Sequence, residues 1–425
     1  MKMALFLTGK SDRKMKIKPP KSLPISEILP KKPVLLMGAG PVPIPEEVAK
    51  ANSIVISHLG ETMKQIVSRV QAMGQYIFQT SSQKIFGISG PSSAAMEMAV
   101  TSLLWPGRKV LVLNLGTFSA RFSELAKGVG AEVTEVFTPQ FGPFYAEQIK
   151  EVLEKSQFDV LTLVQGETSC GVKNIDLEAI VKVAKSYGVR TIVDAVCTLS
   201  TMPLQMDEWG IDIVLVGGQK GMSAIPGISL IAFAEETFEF ISKREASMPH
   251  WCLDPRRAYK FWGLGEYHYT APVPGILAIH EGLRLICEET LEKRFERHAS
   301  CSKLLQNCLE LMGLELYTPE NFRLNSVVAI KNTFKINVKE MIAFMINEHQ
   351  VEISGAFGLD IFRIGQMGEQ ARPENIKRVL IALTAGHAKF DVSLNLEAAL
   401  AEIEKFEGRG PRASSRSVDE MVVLS

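Results

Sequence analysis

The chain reads as an α/β protein, with a large domain built on a mostly parallel sheet and a smaller C-terminal α+β domain. Three observations predict this. Between residues 83 and 235, short β-rich apolar runs alternate with amphipathic stretches, as expected of strands covered by helices. The runs are apolar at nearly every position, which suits strands buried on both faces. At 425 residues, 46% of them hydrophobic, the chain is longer than one ordinary core requires.

In order, residues 1–33 carry a short apolar stretch and then lysines and prolines (SDRKMKIKPPKSLP). That apolar stretch is too short for a secretory segment, so a mobile extension is expected. The large domain is assigned to 34–285. Its strands are read at KVLVLNLG (109–116), DVLTLVQG (159–166), RTIVDAV (190–196), DIVLVGG (212–218) and ISLIAFA (228–234). GISGPSSAAMEMAV (87–100) reads as a strand end, a polar turn and a helix start. The small domain is assigned to 286–386. It holds a long helical pattern, SVVAIKN, a helix around 338–348, VEISGAFG, IFRIGQMG and a last helix NIKRVLIALTAG. Residues 387–425 then give a linker, a helix with Leu394, Leu396, Ala399, Leu400 and Ile403 on one stripe, and a disordered tail.

Composition narrows the function. The 47 basic and 47 acidic side chains balance, which argues against a dedicated nucleic-acid or membrane-surface binder. No apolar run reaches the roughly 18 residues needed to span a bilayer. Six cysteines without a CxxC pair suit a reducing compartment, and the cytoplasm is expected. No metal-ligand pattern stands out.

In parallel sheets, ligands gather at the carboxyl ends of the strands. The residues of interest are therefore Gly116 to Phe118, Glu167 to Ser169, Asp194 to Val196, and Gln219 with Lys220. Asp194 ends a strand, and either caps the next helix or pairs with a cationic ligand group. Lys220 sits in a glycine-flanked turn, either as a solvated surface residue or as a desolvated amine able to form a Schiff base. Ser92 and Ser93 open a helix, as an ordinary cap or as part of a phosphate site. Arg363 lies in an apolar strand and needs an anion, either an internal carboxylate or a substrate carboxylate. Phe118 and the cluster Tyr267, His268, Tyr269 and Thr270 belong either to the core or to a ligand site. Together these groups offer an amine for an aldehyde, an acid for a ring cation, an aromatic for a flat face and a turn for a phosphate. Pyridoxal 5'-phosphate has all four features.

At this point a resemblance is evident. MGAGPVPIPEEV, QYIFQT, SGPSSAAME, GETSCGV, VDAV, DEWGIDIVLVGGQKGMSAIPG, YHYTAP and RIGQMGEQARPEN resemble, in order and spacing, the class V aminotransferases. These are fold-type I pyridoxal-phosphate enzymes, and the likeness is greatest to the alanine–glyoxylate and serine–pyruvate (serine–glyoxylate) aminotransferases. It runs from about residue 35 to 386. It implies a seven-stranded large-domain sheet and transfer of an amino group from alanine or serine to glyoxylate or pyruvate.

The resemblance also implies residue roles. Lys220 forms the Schiff base and Asp194 pairs with the pyridine nitrogen. Val196 packs on one ring face, and Phe118 on the other, where many relatives have tryptophan. Thr168 lies near the ring hydroxyl, and Ser92, Ser93 and Gln219 contact the phosphate. Tyr267 and Thr270 reach the neighbouring subunit's phosphate, so a homodimer with shared sites is implied. Arg363 binds the substrate carboxylate, and the loop holding Gly40 lines the substrate pocket. The phosphate turn departs from the pattern, because Pro91 removes an N–H donor.

Alternatives on the same scaffold are a pyridoxamine–pyruvate or other amine transaminase, which the tail helix resembles, and a cysteine desulfurase-like lyase. Desulfurases place histidine before the lysine and a reactive cysteine in a small-domain loop. Here Gln219 precedes Lys220, and ISGAFGLD has no cysteine. A non-catalytic binding module is the third alternative; the retained lysine, aspartate and arginine argue against it.

Overall fold

The computed structural model describes residues 17–138 and 142–409. Residues 17–33 belong to a separate unit. They are exposed throughout and carry one 3-10 turn at Ile25–Glu27. The expected mobility of residues 1–16 and disorder of 410–425 lie outside the described residues.

The unit beginning at Val34 holds a seven-stranded sheet. Its spatial order is Ile85–Ser89, Ile228–Phe233, Ile213–Gly217, Arg190–Asp194, Val160–Val164, Lys109–Asn114 and Glu132–Phe137. The Ile228–Phe233 strand is antiparallel to both neighbours, and the others run parallel. All five expected strands form, each within two residues of its expected ends. The physical reason is visible in burial. Every residue of Val160–Val164, Ile213–Gly217 and Ile228–Phe233 is buried, because helices cover both faces. The edge strand Glu132–Phe137 has no fully buried residue, as a one-sided edge should.

Five strands run the same way and end at one edge of the sheet. The strand Ile85–Ser89, paired antiparallel to an antiparallel strand, joins them in direction. Their carboxyl ends therefore deliver Ser92 and Ser93, Phe118, Thr168, Asp194 with Val196, and Gln219 with Lys220 to one edge.

A second hydrophobic cluster, distinct from the one around this sheet, surrounds the strands Val327–Lys331 and Ile361–Gly365. The Val338–His349 helix and the Pro373–Ala388 helix pack there. So does the tail helix Leu396–Arg409, with Ala399 and Ile403 buried in this cluster. Three details differ from the expected boundaries. The helix Val273–Glu289 runs through residue 285, and the chain breaks instead at Thr290, whose φ is 69°. Leu35 and Met37 join the second cluster, because Leu35–Leu36 pairs in parallel with Val351–Glu352. The linker expected from residue 387 starts only after the helix ends at Ala388. Among the described residues, no helix is long and apolar enough to cross a membrane.

Candidate active site

At the carboxyl edge lies a cavity of about 250 Å³, at the small end of ligand pockets. Ser92, Ser93, Phe118, Thr168, Asp194, Val196, Gln219 and Lys220 all line it, together with Pro91, Met96, Arg121, Gly166 and Cys197. Groups separated by more than a hundred residues in sequence thus face one space.

Asp194 is buried, and its Oδ1 accepts a hydrogen bond from the Val196 N–H at 2.8 Å. It bonds into its own turn rather than capping a long helix. Burial pushes its pKa up to about 7, outweighing the help of the Arg121 and Lys220 charges. A cationic ring nitrogen would supply the countercharge this carboxyl lacks.

Lys220 is not a solvated surface residue. Its Nζ donates to the Ala39 carbonyl, and burial pulls its pKa below the usual lysine value, with Arg363 adding repulsion. An amine so desolvated spends more time neutral and nucleophilic. Gly40 lies against it: a Cβ there would sit 2.5 Å from Lys220 Nζ, and Gly40 has φ 96°. Only glycine leaves room for the lysine and accepts that backbone shape.

At the other end, Ser92 opens the helix Ser92–Leu103, and Pro91 rather than a serine takes the N-cap position, with no side-chain cap bond. The ordinary serine cap is therefore not what forms. Ser92 Oγ accepts from Gln219 Nε2 at 3.2 Å. Gly217 makes this approach possible, since a Cβ there would collide with Ser92 Oγ. Gln219 Oε1 is buried without a protein partner. The first N–H groups of the helix have no acceptor within it. Hydroxyls, an amide and helix N–H groups here suit a phosphate.

Arg363 has no carboxylate partner. Its Nε donates to Gly355 O and its Nη1 to Thr168 O, both at 2.7 Å. The guanidinium is buried and aimed by two backbone carbonyls, which leaves Nη2 for an anion. Tyr267 and Thr270 lie outside the cavity and are exposed. The structure thus brings eight expected residues together in the cavity, puts Gly40 against Lys220, and leaves Arg363, Tyr267 and Thr270 off its lining.

Three contributors carried no role in the sequence reading. Cys197 lines the cavity, but its thiol donates to Gly166 O at 3.3 Å and burial pushes its pKa up to about 12, so it stays protonated and inert. Arg121 lines the wall beside Phe118. Glu167 is fully buried and its carboxylate accepts hydrogen bonds from five donors, one of which, the Phe118 N–H, reaches both oxygens. The donors are Phe118 N at 3.1 Å, Ser119 N at 2.9 Å, Ser119 Oγ at 3.1 Å, Ser169 N at 3.1 Å and Ser169 Oγ at 2.6 Å. A carboxylate at the N-terminus of the Thr117–Gly128 helix is also favoured by the helix dipole. Glu167 thereby ties Phe118 to the segment carrying Thr168, whose carbonyl holds Arg363. Its place just after a strand was a visible signal; its partners were not.

Glu167→Gln tests this tie. An amide nitrogen on either side would face a backbone N–H donor, so the variant loses about 2–3 kcal/mol of stability in urea unfolding. A loss under about 0.5 kcal/mol would mean that the charge orders nothing locally.

Among the described residues, no group of three His, Cys, Asp or Glu could hold a metal. The donor set fits pyridoxal 5'-phosphate instead: an amine, a buried acid, an aromatic wall and an anion turn around one small cavity.

Comparison with known proteins agrees. The family model "Aminotransferase class-V" matches residues 44–360. The alanine–glyoxylate aminotransferase of Rattus norvegicus is 31% identical over 89% of this chain and 93% of its own length. The ureidoglycine–glyoxylate aminotransferase of Bacillus subtilis superposes with a TM-score of 0.85 at 28% identity, covering 88% of this chain and 99% of that one. An alanine–glyoxylate aminotransferase of Nostoc sp. gives 0.81 at 29% identity, over 86% of this chain and all of that one. The sheet order, the shared cavity and these likenesses lead to one assignment: the chain belongs to the class V aminotransferase family, whose cofactor is pyridoxal 5'-phosphate.

Proposed function

We propose that this transaminase moves an amino group from a small amino acid, alanine or serine, to glyoxylate or pyruvate. The observation that carries the reading is the shared cavity of Lys220 and Asp194, with the Ser92 turn closing one end. When bound, pyridoxal 5'-phosphate supplies an aldehyde and a ring that takes up the electron pair freed at the donor's Cα.

The chain does the rest. Asp194 would keep a positive charge at the ring nitrogen. Phe118 and Val196 would hold the ring, and Thr168 would meet its hydroxyl. Arg363 grips the substrate carboxylate with Nη2 and so fixes the Cα–H direction. Lys220 Nζ, as a neutral amine beside the substrate, would take up the donor's Cα proton and hold it within the cavity as general acid and base. One aimed arginine suits a monocarboxylic substrate. The buried Cys197 thiol offers no nucleophile for sulfur transfer.

Tyr267 and Thr270 are exposed, which supports a role at a neighbouring subunit's phosphate in a homodimer. A monomer in sedimentation would remove it. The unpaired cysteines support a reducing compartment, the cytoplasm in our reading. A division into a large and a small domain is supported by two separate hydrophobic clusters, the first reaching Leu291 and the second taking in Leu35, Met37 and the tail helix.

Arg363→Lys keeps the charge but cannot bond two carbonyls and a carboxylate together. KM for the amino donor rises about a hundredfold while cofactor affinity holds; an unchanged KM would remove Arg363 from the substrate.

The reading is tested by half-reactions. Holoenzyme is mixed separately with alanine, serine, glycine, (S)-ureidoglycine and pyridoxamine, and the cofactor spectrum is followed. Alanine or serine converts it, and glyoxylate or pyruvate reverses the change. Conversion by ureidoglycine or pyridoxamine alone would replace the proposed donor.

A further inference from the structure

We propose that Arg121 is the cationic partner of the cofactor phosphate, completing the end of the cavity that Ser92, Ser93 and Gln219 begin. This rests on the cofactor placement under Proposed function and adds a residue that placement does not contain. Arg121 lines the same cavity, and its Nη1 donates to Ser93 Oγ at 3.2 Å. Its guanidinium carbon lies 4.8 Å from the centre of the Phe118 ring. Both residues sit on the helix Thr117–Gly128, three positions apart, hence on one face. One side chain thus touches the ring wall and the phosphate turn at once.

Charge favours such a group beside the partial positive charge of the helix start. A phosphate monoester carries between one and two negative charges near neutral pH. Ser92, Ser93 and the Gln219 amide are neutral. Pro91 contributes no N–H. The remaining cations are engaged elsewhere: Lys220 is reserved for the aldehyde, and Arg363, held by Thr168 and Gly355, is not on the lining and is assigned to the substrate carboxylate. Arg121 bonds Ser93 with one nitrogen only, so its fork keeps donors for phosphate oxygens, with which guanidinium pairs in bidentate fashion. Stacking against Phe118 restrains the fork before the ligand arrives.

The experiment is an equilibrium titration of full-length apoprotein, wild type, Arg121→Ala and Arg121→Lys. The ligands are pyridoxal 5'-phosphate and pyridoxal, which lacks the phosphate. Arg121→Ala loses about tenfold or more in affinity for the phosphorylated form. It binds pyridoxal within about twofold of wild type, which also shows that the variant folds. Arg121→Lys recovers part of the loss, since it keeps the charge without the fork. Equal weakening of both ligands would overturn the proposal, because Arg121 would then act only through Phe118. Unchanged affinity for both, with a raised KM for the amino donor, would overturn it in favour of substrate contact. If wild type binds the phosphorylated form but transfers no amino group, the proposed donor and acceptor fail while the Arg121 assignment stands. If wild type does not bind it, both fall.

Discussion

Lys220→Ala abolishes transamination, lowering turnover by about five orders of magnitude or more. It also loses the visible absorbance of the bound cofactor. On the proposed function two roles vanish together, because one amine would both anchor the cofactor and carry the proton from the donor's Cα. The amine is suited to both by its surroundings. Burial lowers its pKa, Arg363 lowers it further, and Asp194 and Cys197 push the other way. Its position depends on Gly40, so Gly40→Ala is expected to mimic part of the loss: the added Cβ would fall 2.5 Å from Nζ. Absorption spectra and steady-state assays of both variants check this. Retained absorbance in Lys220→Ala would remove the anchor from this residue.

Asp194→Asn has the second largest effect, with opposite signs in the two forms of the protein. With cofactor, turnover drops by about a thousandfold, because an amide cannot keep the ring nitrogen protonated. Without cofactor, the variant is more stable than wild type at high pH. Burial raises the folded-state pKa of Asp194 to about 7 from its ordinary value of 3.8. Stability associated with its protonated form is therefore complete below about pH 4 and is lost as pH rises through about 7. Asparagine is neutral throughout and keeps the acceptor for the Val196 N–H. At pH 8 the apo variant gains roughly 2–3 kcal/mol in urea unfolding, and the gap closes toward pH 4. A gap that is the same at pH 5 and pH 8 would show that Asp194 does not titrate in this range. The carboxyl is costly to the empty fold and favourable only beside a cation, as expected of a group retained for function.

How much of this was legible in the sequence depends on how local each feature is. The strands at 109–114, 160–164, 190–194, 213–217 and 228–233 are legible because burial on both faces leaves a continuous apolar run. Lys220 and Asp194 are legible because each follows such a run directly, where a parallel sheet presents its ligands. The roles of Glu167 and Arg121 are not. Glu167 is defined by Phe118 and Ser119, some fifty residues earlier, and Arg121 by Ser93 on another helix. Nothing near either residue in the chain announces those partners. The pairing of Leu35 with Val351 is illegible for the same reason. The break at Thr290 interrupts a helical pattern whose apolar spacing continues on both sides, so periodicity alone passes over it. The tail helix shows its apolar stripe plainly, but not that Ala399 and Ile403 complete the second core.

The most direct measurement is borohydride reduction of the cofactor-bound protein, followed by proteolysis and mass spectrometry of the peptides. A pyridoxyl phosphate adduct is expected on the peptide containing Lys220, with the modification on that side chain. An adduct on another lysine, or none in protein that retains cofactor and activity, would contradict it.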